Sequence, residues 1–148
     1  MQFSHQYWIS EAIKFAKNPV EVPISALIVK DDKLISIATN LVENSNDATN
    51  HAEIIAIKEA SKILDNWRLD GCILYTTLEP CSMCAGAIIN ARISKIVFGA
   101  FDLAFGACGS KINLFYELER QKKIEVIGGI LENECSKLIK DFFVLKRN

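Results

Sequence analysis

The sequence predicts an α/β fold: a three-layer α/β/α sandwich around a mixed sheet of about five strands. Three observations carry that prediction. Short apolar, β-rich runs alternate with longer stretches of helical periodicity. The first two such runs are separated only by Asp31-Asp32, which reads as a tight antiparallel hairpin. Half of the 148 residues are hydrophobic, enough for a sizeable core. No Pro-, Gly- or Ser-rich linker divides the chain, so residues 1–148 read as one domain.

Taken in order, Ser10 is a candidate cap for a short helix from Glu11 to Lys17, which ends before Pro19. Ile24 to Lys30 and Lys33 to Thr39 are the hairpin strands. Leu41 to Asn50 is polar and Asn-rich, and reads as a loop. From His51 to Leu64, the spacing of Ile54, Ile55, Ile57, Ala60, Ile63 and Leu64 fits a helix buried on a broad face. Cys72 to Thr77 is a strand, and Pro80 starts a helix running to about Asn90. Ser94 to Gly99 is a strand, and Phe101 to Ser110, with Gly106 and Gly109, is a loop. Asn113 to Lys122 reads as a helix, and Glu125 to Gly128 as a short strand. Glu132 to Lys146 is a final amphipathic helix.

Composition narrows the function classes. A net charge of -1 gives no overall positive field for nucleic acid. Lys137, Lys140, Lys146 and Arg147 make either a local basic patch or a solvated helix face. Five cysteines, an odd number without an apolar signal-peptide core, argue against a disulfide framework and for a cytoplasmic protein. Charges such as Arg92 and Lys95 interrupt the apolar stretches, so no membrane span is expected.

The chemistry is concentrated in His51-Ala52-Glu53 and Pro80-Cys81-Ser82-Met83-Cys84. Cys81 and Cys84, three apart at a helix start, bring their sulfurs close together, and the helix N-terminus favours thiolates. His51 opens another helix. Together they offer three ligands of the mixed nitrogen and sulfur kind that suits zinc, although iron can occupy similar sets. Three protein ligands leave a position for water, the pattern of hydrolytic rather than closed structural zinc sites. Glu53 is placed to sit beside such a metal and move protons. Each piece also has a plainer reading: a satisfied histidine, a redox or structural Cys-x-x-Cys, an acid complementing a helix dipole. The combination is far more specific, and it matches the signature of zinc nucleobase deaminases.

From Glu21 to Arg147 the chain resembles the bacterial tRNA-specific adenosine deaminase family of the cytidine deaminase superfamily. The matching stretches are Val22-Pro23-Ile24-Ser25-Ala26, His51-Ala52-Glu53 and Thr77 to Ile88. Ile96-Val97-Phe98-Gly99-Ala100, Gly106-Ala107-Cys108-Gly109-Ser110 and Asp141-Phe142-Phe143 complete them. The resemblance implies a cytidine-deaminase-like fold and conversion of the wobble adenosine of tRNA, position 34, to inosine. It implies one zinc per subunit on His51, Cys81 and Cys84, with Glu53 as the proton shuttle. It also places Asn40, Ala52, Asp102, Phe142 and Phe143 at the substrate, and implies a homodimer on the tRNA anticodon stem-loop. Asn50, Ala48 and Ser25 depart from the usual family residues, as does the less basic Phe101, Leu103 and Ala104 loop.

Two other functions fit part of this pattern. The superfamily motifs also serve deaminases of a free base or nucleoside, of guanine or cytosine type. A zinc-stabilised RNA-binding module would use the three ligands without chemistry, but has no need of Glu53 beside them.

Overall fold

The computed structural model describes residues 2–17, 21–118 and 123–147. A five-stranded sheet is ordered β2-β1-β3-β4-β5, with strands Ser25–Lys30, Lys33–Thr39, Cys72–Leu78, Lys95–Ala100 and Glu125–Ile127 numbered along the chain. β1 runs antiparallel to β2 and β3, whereas β3, β4 and β5 are parallel. The sheet is therefore mixed, as expected. The hairpin turn is Asp31-Asp32, both at positive φ (50° and 60°), the twist that a two-residue turn between right-handed strands requires.

Helices α1 (His5–Ala16) and α6 (Glu132–Arg147) cover one face. Their core gathers Trp8, Ile9 and Ala12 with Leu27, Val29, Tyr75, Val97 and Cys135. Helix α3 (Ala52–Leu64) and α4 (Ser82–Asn90) cover the other face. Ala52, Ala56, Ala60 and Ile88 pack there on Ala26, Ile28, Leu74, Ile96 and Phe98. Alternation along β1 sends Ala26 and Ile28 to one core and Leu27 and Val29 to the other. All are buried, which is why these strands read as continuous apolar runs.

Several local expectations need correcting. The first helix starts six residues before Glu11, because Ser4, not Ser10, caps it by accepting the Tyr7 N–H at 3.0 Å. Ser10 lies inside the helix and donates its hydroxyl to the Tyr7 carbonyl. The Leu41 to Asn50 segment contains one helical turn, α2 (Val42–Ser45). The helix expected over Asn113 to Lys122 is reduced to α5 (Leu114–Glu117), capped by Asn113, while residues 119–122 lie outside the described residues. His51 and Cys81 are N-caps rather than first helical residues, so Pro80 precedes the helix instead of beginning it.

Lys137 and Lys146 of the C-terminal helix have different surroundings. Lys137 pairs with Asp141 at 2.7 Å on the exposed side, whereas Lys146 reaches the pocket described below. All five cysteines are free. Among the described residues, no helix is long and apolar enough to cross a membrane.

Candidate active site

Two helix starts meet beside the ends of β3 and β4. His51 caps α3 and Cys81 caps α4, both with extended backbone (φ/ψ −69°/155° and −76°/177°). Neither side chain makes a capping hydrogen bond. Both cap positions thus hold residues whose side chains turn to each other instead of to their own helix. Cys84 joins them from the first turn of α4. His51 Nδ1 lies 3.6 Å from Cys81 Sγ and 3.5 Å from Cys84 Sγ. The three donor atoms all fall within 4.8 Å of one another.

These separations suit a tetrahedral metal. Zinc bonds of about 2.3 Å to sulfur and about 2.0–2.1 Å to nitrogen put the ligand atoms about 3.5–3.6 Å apart. The protonation chemistry also suits a cation. The Cys84 thiol, then His51, hydrogen-bonds Cys81 and holds its thiol down at about 4 against the opposing effect of burial. Cys84 is pushed the other way, first by its hydrogen bond to Cys81 and then by burial. The pair therefore retains one proton, which a bound cation would displace. His51 is raised, chiefly by its hydrogen bond to Cys81.

Glu53 stands in the first turn of α3 and is only 4% exposed. Burial raises its pKa first of all, and Cys81 adds to the rise, while its own backbone N–H and His51 oppose it. A carboxyl in that state holds a proton more readily than an exposed one and can both take and return it.

A pocket of about 670 Å³ opens here. His51, Glu53 and Cys81 line it, and so do Asn40, Ala52, Asp102, Phe142 and Phe143. The tertiary structure thus brings together residues from five separate stretches of sequence. Cys84 is buried behind the pocket wall. Asn40 Oδ1 accepts the Val42 N–H at 3.3 Å. Asp102 Oδ1 accepts the Ala104 and Phe105 N–H groups, each at 3.1 Å, so one oxygen of this acid shapes its own loop. The two tail aromatics differ. Phe142 is buried, with Lys146 Nζ 5.6 Å from its ring centre, while Phe143 is 46% exposed.

Sequence reasoning missed two buried acids in the same wall, Glu21 and Glu79, each 2% exposed. Glu21 accepts the Glu43 and Asn44 N–H groups at 3.1 and 3.2 Å and so secures the start of α2. Glu79 accepts hydrogen bonds from the loop that carries Asp102. Nothing local marks either residue, because their partners lie 22 to 31 residues away. Phe105 and Lys146 also line the pocket without having been singled out as site residues. The departure at Ser25 is accommodated: its hydroxyl donates to the Ala12 carbonyl, tying β1 to α1.

Comparison with known proteins agrees with this geometry. Residues 3–147 match the model of the MafB19-like deaminases. The tRNA-specific adenosine deaminase of Bacillus subtilis is 45% identical over 141 residues, covering 93% of this chain and 88% of its own. A solved tRNA:A34 deaminase, studied for A-to-I editing at the wobble position, superposes with a TM-score of 0.79 at 38% identity, covering 88% of this chain and 94% of its own. The guanine deaminase of Nitrosomonas europaea superposes with a TM-score of 0.80 at 25% identity, covering 97% of this chain and 86% of its own. The backbone alone therefore does not separate the two substrates, whereas sequence identity favours the first. This chain belongs to the MafB19-like deaminases and, within them, to the tRNA-specific adenosine deaminase family.

Proposed function

We propose that the protein hydrolytically deaminates the wobble adenosine of a tRNA anticodon loop to inosine. The observation that carries this reading is the convergence of three metal-type donors and a buried carboxylate at one pocket, in a chain so similar to tRNA-specific adenosine deaminases.

The residues present fit zinc, with His51 Nδ1 and the sulfurs of Cys81 and Cys84 as its ligands. Zinc supplies the Lewis acidity that makes water a nucleophile near neutral pH. Glu53 accepts one proton of the water that attacks C6 of the adenine and passes it to the ring nitrogen N1. It then takes the remaining proton from the hydroxyl on C6 and gives it to the amino group, so that ammonia leaves and C6 keeps the oxygen as a carbonyl. The pocket admits a base only outside a stack, which suits a loop nucleotide. Asn40 is assigned to the edge of the base through its side-chain amide. Ala52 forms part of the wall, Asp102 lies beside the target nucleotide, and Phe142 and Phe143 face the RNA with Lys146.

The same reading makes the chain a single deaminase domain that works in the cytoplasm as a homodimer on the anticodon stem-loop. Ile63, Trp67, Tyr116 and Leu118 are large, apolar and exposed, and offer surface for a second copy to cover.

The likeness to a guanine deaminase favours one alternative, action on a free base. The deciding experiment offers the purified protein an anticodon stem-loop with a wobble adenosine, and separately free guanine and cytosine. Inosine in the stem-loop is the expected product. Turnover of a free base with none of the RNA would overturn the reading.

A further inference from the structure

Glu79 lines the same pocket as Glu53 and is equally hidden, yet no proton transfer in the deamination calls for it. Its two oxygens face four donors. Oε1 accepts the Asp102 N–H at 3.0 Å and the Ser110 hydroxyl. Oε2 accepts the Cys108 and Ser110 N–H groups at 3.0 and 3.1 Å. All four donors belong to the loop after β4. A carboxylate presents acceptors at both atoms. The amide of a glutamine would turn its NH2 against at least one backbone N–H in either orientation.

The rest of this contact is equally closed. A Cβ on Gly106 would lie 2.4 Å from both Glu79 Cδ and the Asp102 carbonyl oxygen, so the loop can lie this close only with glycine there. Backbone hydrogen bonds from Glu79 N to Ala100 O (2.8 Å) and from Ala107 N to Pro80 O (2.9 Å) bind the loop along residues 79–80. The loop in turn carries Asp102 and Phe105 to the pocket. Phe105 is 73% exposed there, an aromatic face left open among the described residues. Its backbone N–H is held by Asp102.

We propose that Glu79 is a positioning residue for RNA binding. Its carboxylate gathers Asp102, Cys108 and Ser110 and thereby presets the wall of the pocket mouth. Phe105, mounted on that wall, provides a stacking face for a base flanking the target adenosine. Presetting the loop lowers the cost of ordering it when RNA arrives, so the effect falls on binding and not on the reacting atoms. The proposal rests on the tRNA reading above.

The test compares wild type with Glu79→Gln, Gly106→Ala and Ser110→Ala as zinc-loaded full-length chains. Zinc content and steady-state inosine formation in the anticodon stem-loop are measured for each. Glu79→Gln removes the acceptor chemistry, while Gly106→Ala pushes the loop away with the carboxylate intact. Both are expected to raise KM roughly tenfold or more, with kcat within about threefold of wild type and zinc retained. Ser110→Ala, which loses one hydrogen bond of the four, is expected to raise KM about two- to fivefold. Phe105→Ala is expected to raise KM likewise, and Phe105→Trp to restore it. Unchanged KM in the folded variants overturns the proposal, and Ser110→Ala with Phe105→Ala decide if Glu79→Gln and Gly106→Ala do not fold. A fall in kcat at constant KM would instead place Glu79 at the reacting atoms, and loss of zinc would route its effect through Cys81; either result overturns the proposal. Absence of wild-type deamination of the stem-loop rejects the substrate reading itself, a result distinct from any difference among variants.

Discussion

Gly99 in β4 lies directly beneath Cys135 of α6: a Cβ added to the glycine would come within 2.2 Å of Cys135 Sγ and 2.9 Å of its Cβ. The Thr77 carbonyl oxygen would be 3.0 Å away on the neighbouring strand. The missing side chain is what lets the final helix dock on the sheet at this point. That helix delivers Phe142, Phe143 and Lys146 to the pocket, so one backbone contact in the core governs residues at its mouth.

Gly99→Ala is therefore expected to destabilise the protein by about 1–3 kcal/mol, the usual cost of overpacking. Because α6 must shift, KM for the stem-loop should also rise. Cys135→Ala removes the closest clash, so the double variant should be less destabilised than the sum of the single changes. Denaturant unfolding of all four proteins measures this coupling, and strictly additive losses would show that Gly99 and Cys135 do not limit the docking.

Glu53→Ala should retain fold and zinc but lose about 10²–10⁴-fold in kcat, the range ascribed to general acid–base catalysis. Its side chain belongs to none of the three candidate ligand positions, so metal content separates it from a ligand change. Undiminished turnover in this variant would remove Glu53 from the proton-transfer role.

Removing the metal should cost stability as well as activity, because the folded chain gathers donors that the unfolded chain scatters. At zinc a hundredfold above its dissociation constant, binding adds about 2.7 kcal/mol. A chelator should therefore lower Tm by roughly 5–10 °C, and added zinc should restore it. Cys84→Ala should resemble the chelated protein and show no response to zinc. Equal Tm values with and without chelator would argue against a bound metal in the purified protein.

A separate pH effect is expected on the opposite face of the sheet. His5 Nδ1 is 2.8 Å from the Tyr75 hydroxyl. Burial, then Asp32, pushes the Tyr75 phenol up to about 12, so it stays protonated and donates to a neutral imidazole. Burial and then Lys95 lower the pKa of His5, with Glu125 opposing. The unfolded chain thus binds this proton near the ordinary 6.5 and the folded chain only below it. The stability from neutral His5 is complete above pH 6.5 and is lost as pH falls through its depressed folded value. His5→Gln should flatten the stability curve in that acidic window, and identical slopes in both proteins would reject the linkage.

The sequence by itself determined the order of the strands along the chain, the hairpin, and the four residues of the candidate reactive centre. Those features are local. A short apolar run marks a strand, and His51 with Glu53, like Cys81 with Cys84, stand close together at helix starts, whereas the separation of 30 residues between His51 and Cys81 is bridged only by the fold. Local signals also misled where two residues competed for one role, as with Ser4 and Ser10 for the first cap. Only the tertiary structure decided what surrounds that centre. Glu79 meets Cys108 and Ser110 across 29 and 31 residues, Gly99 meets Cys135 across a layer, and Phe142 reaches the pocket from the final helix. Such partners are set by the sheet order and by how α6 lies on it, and no periodicity in the chain encodes them.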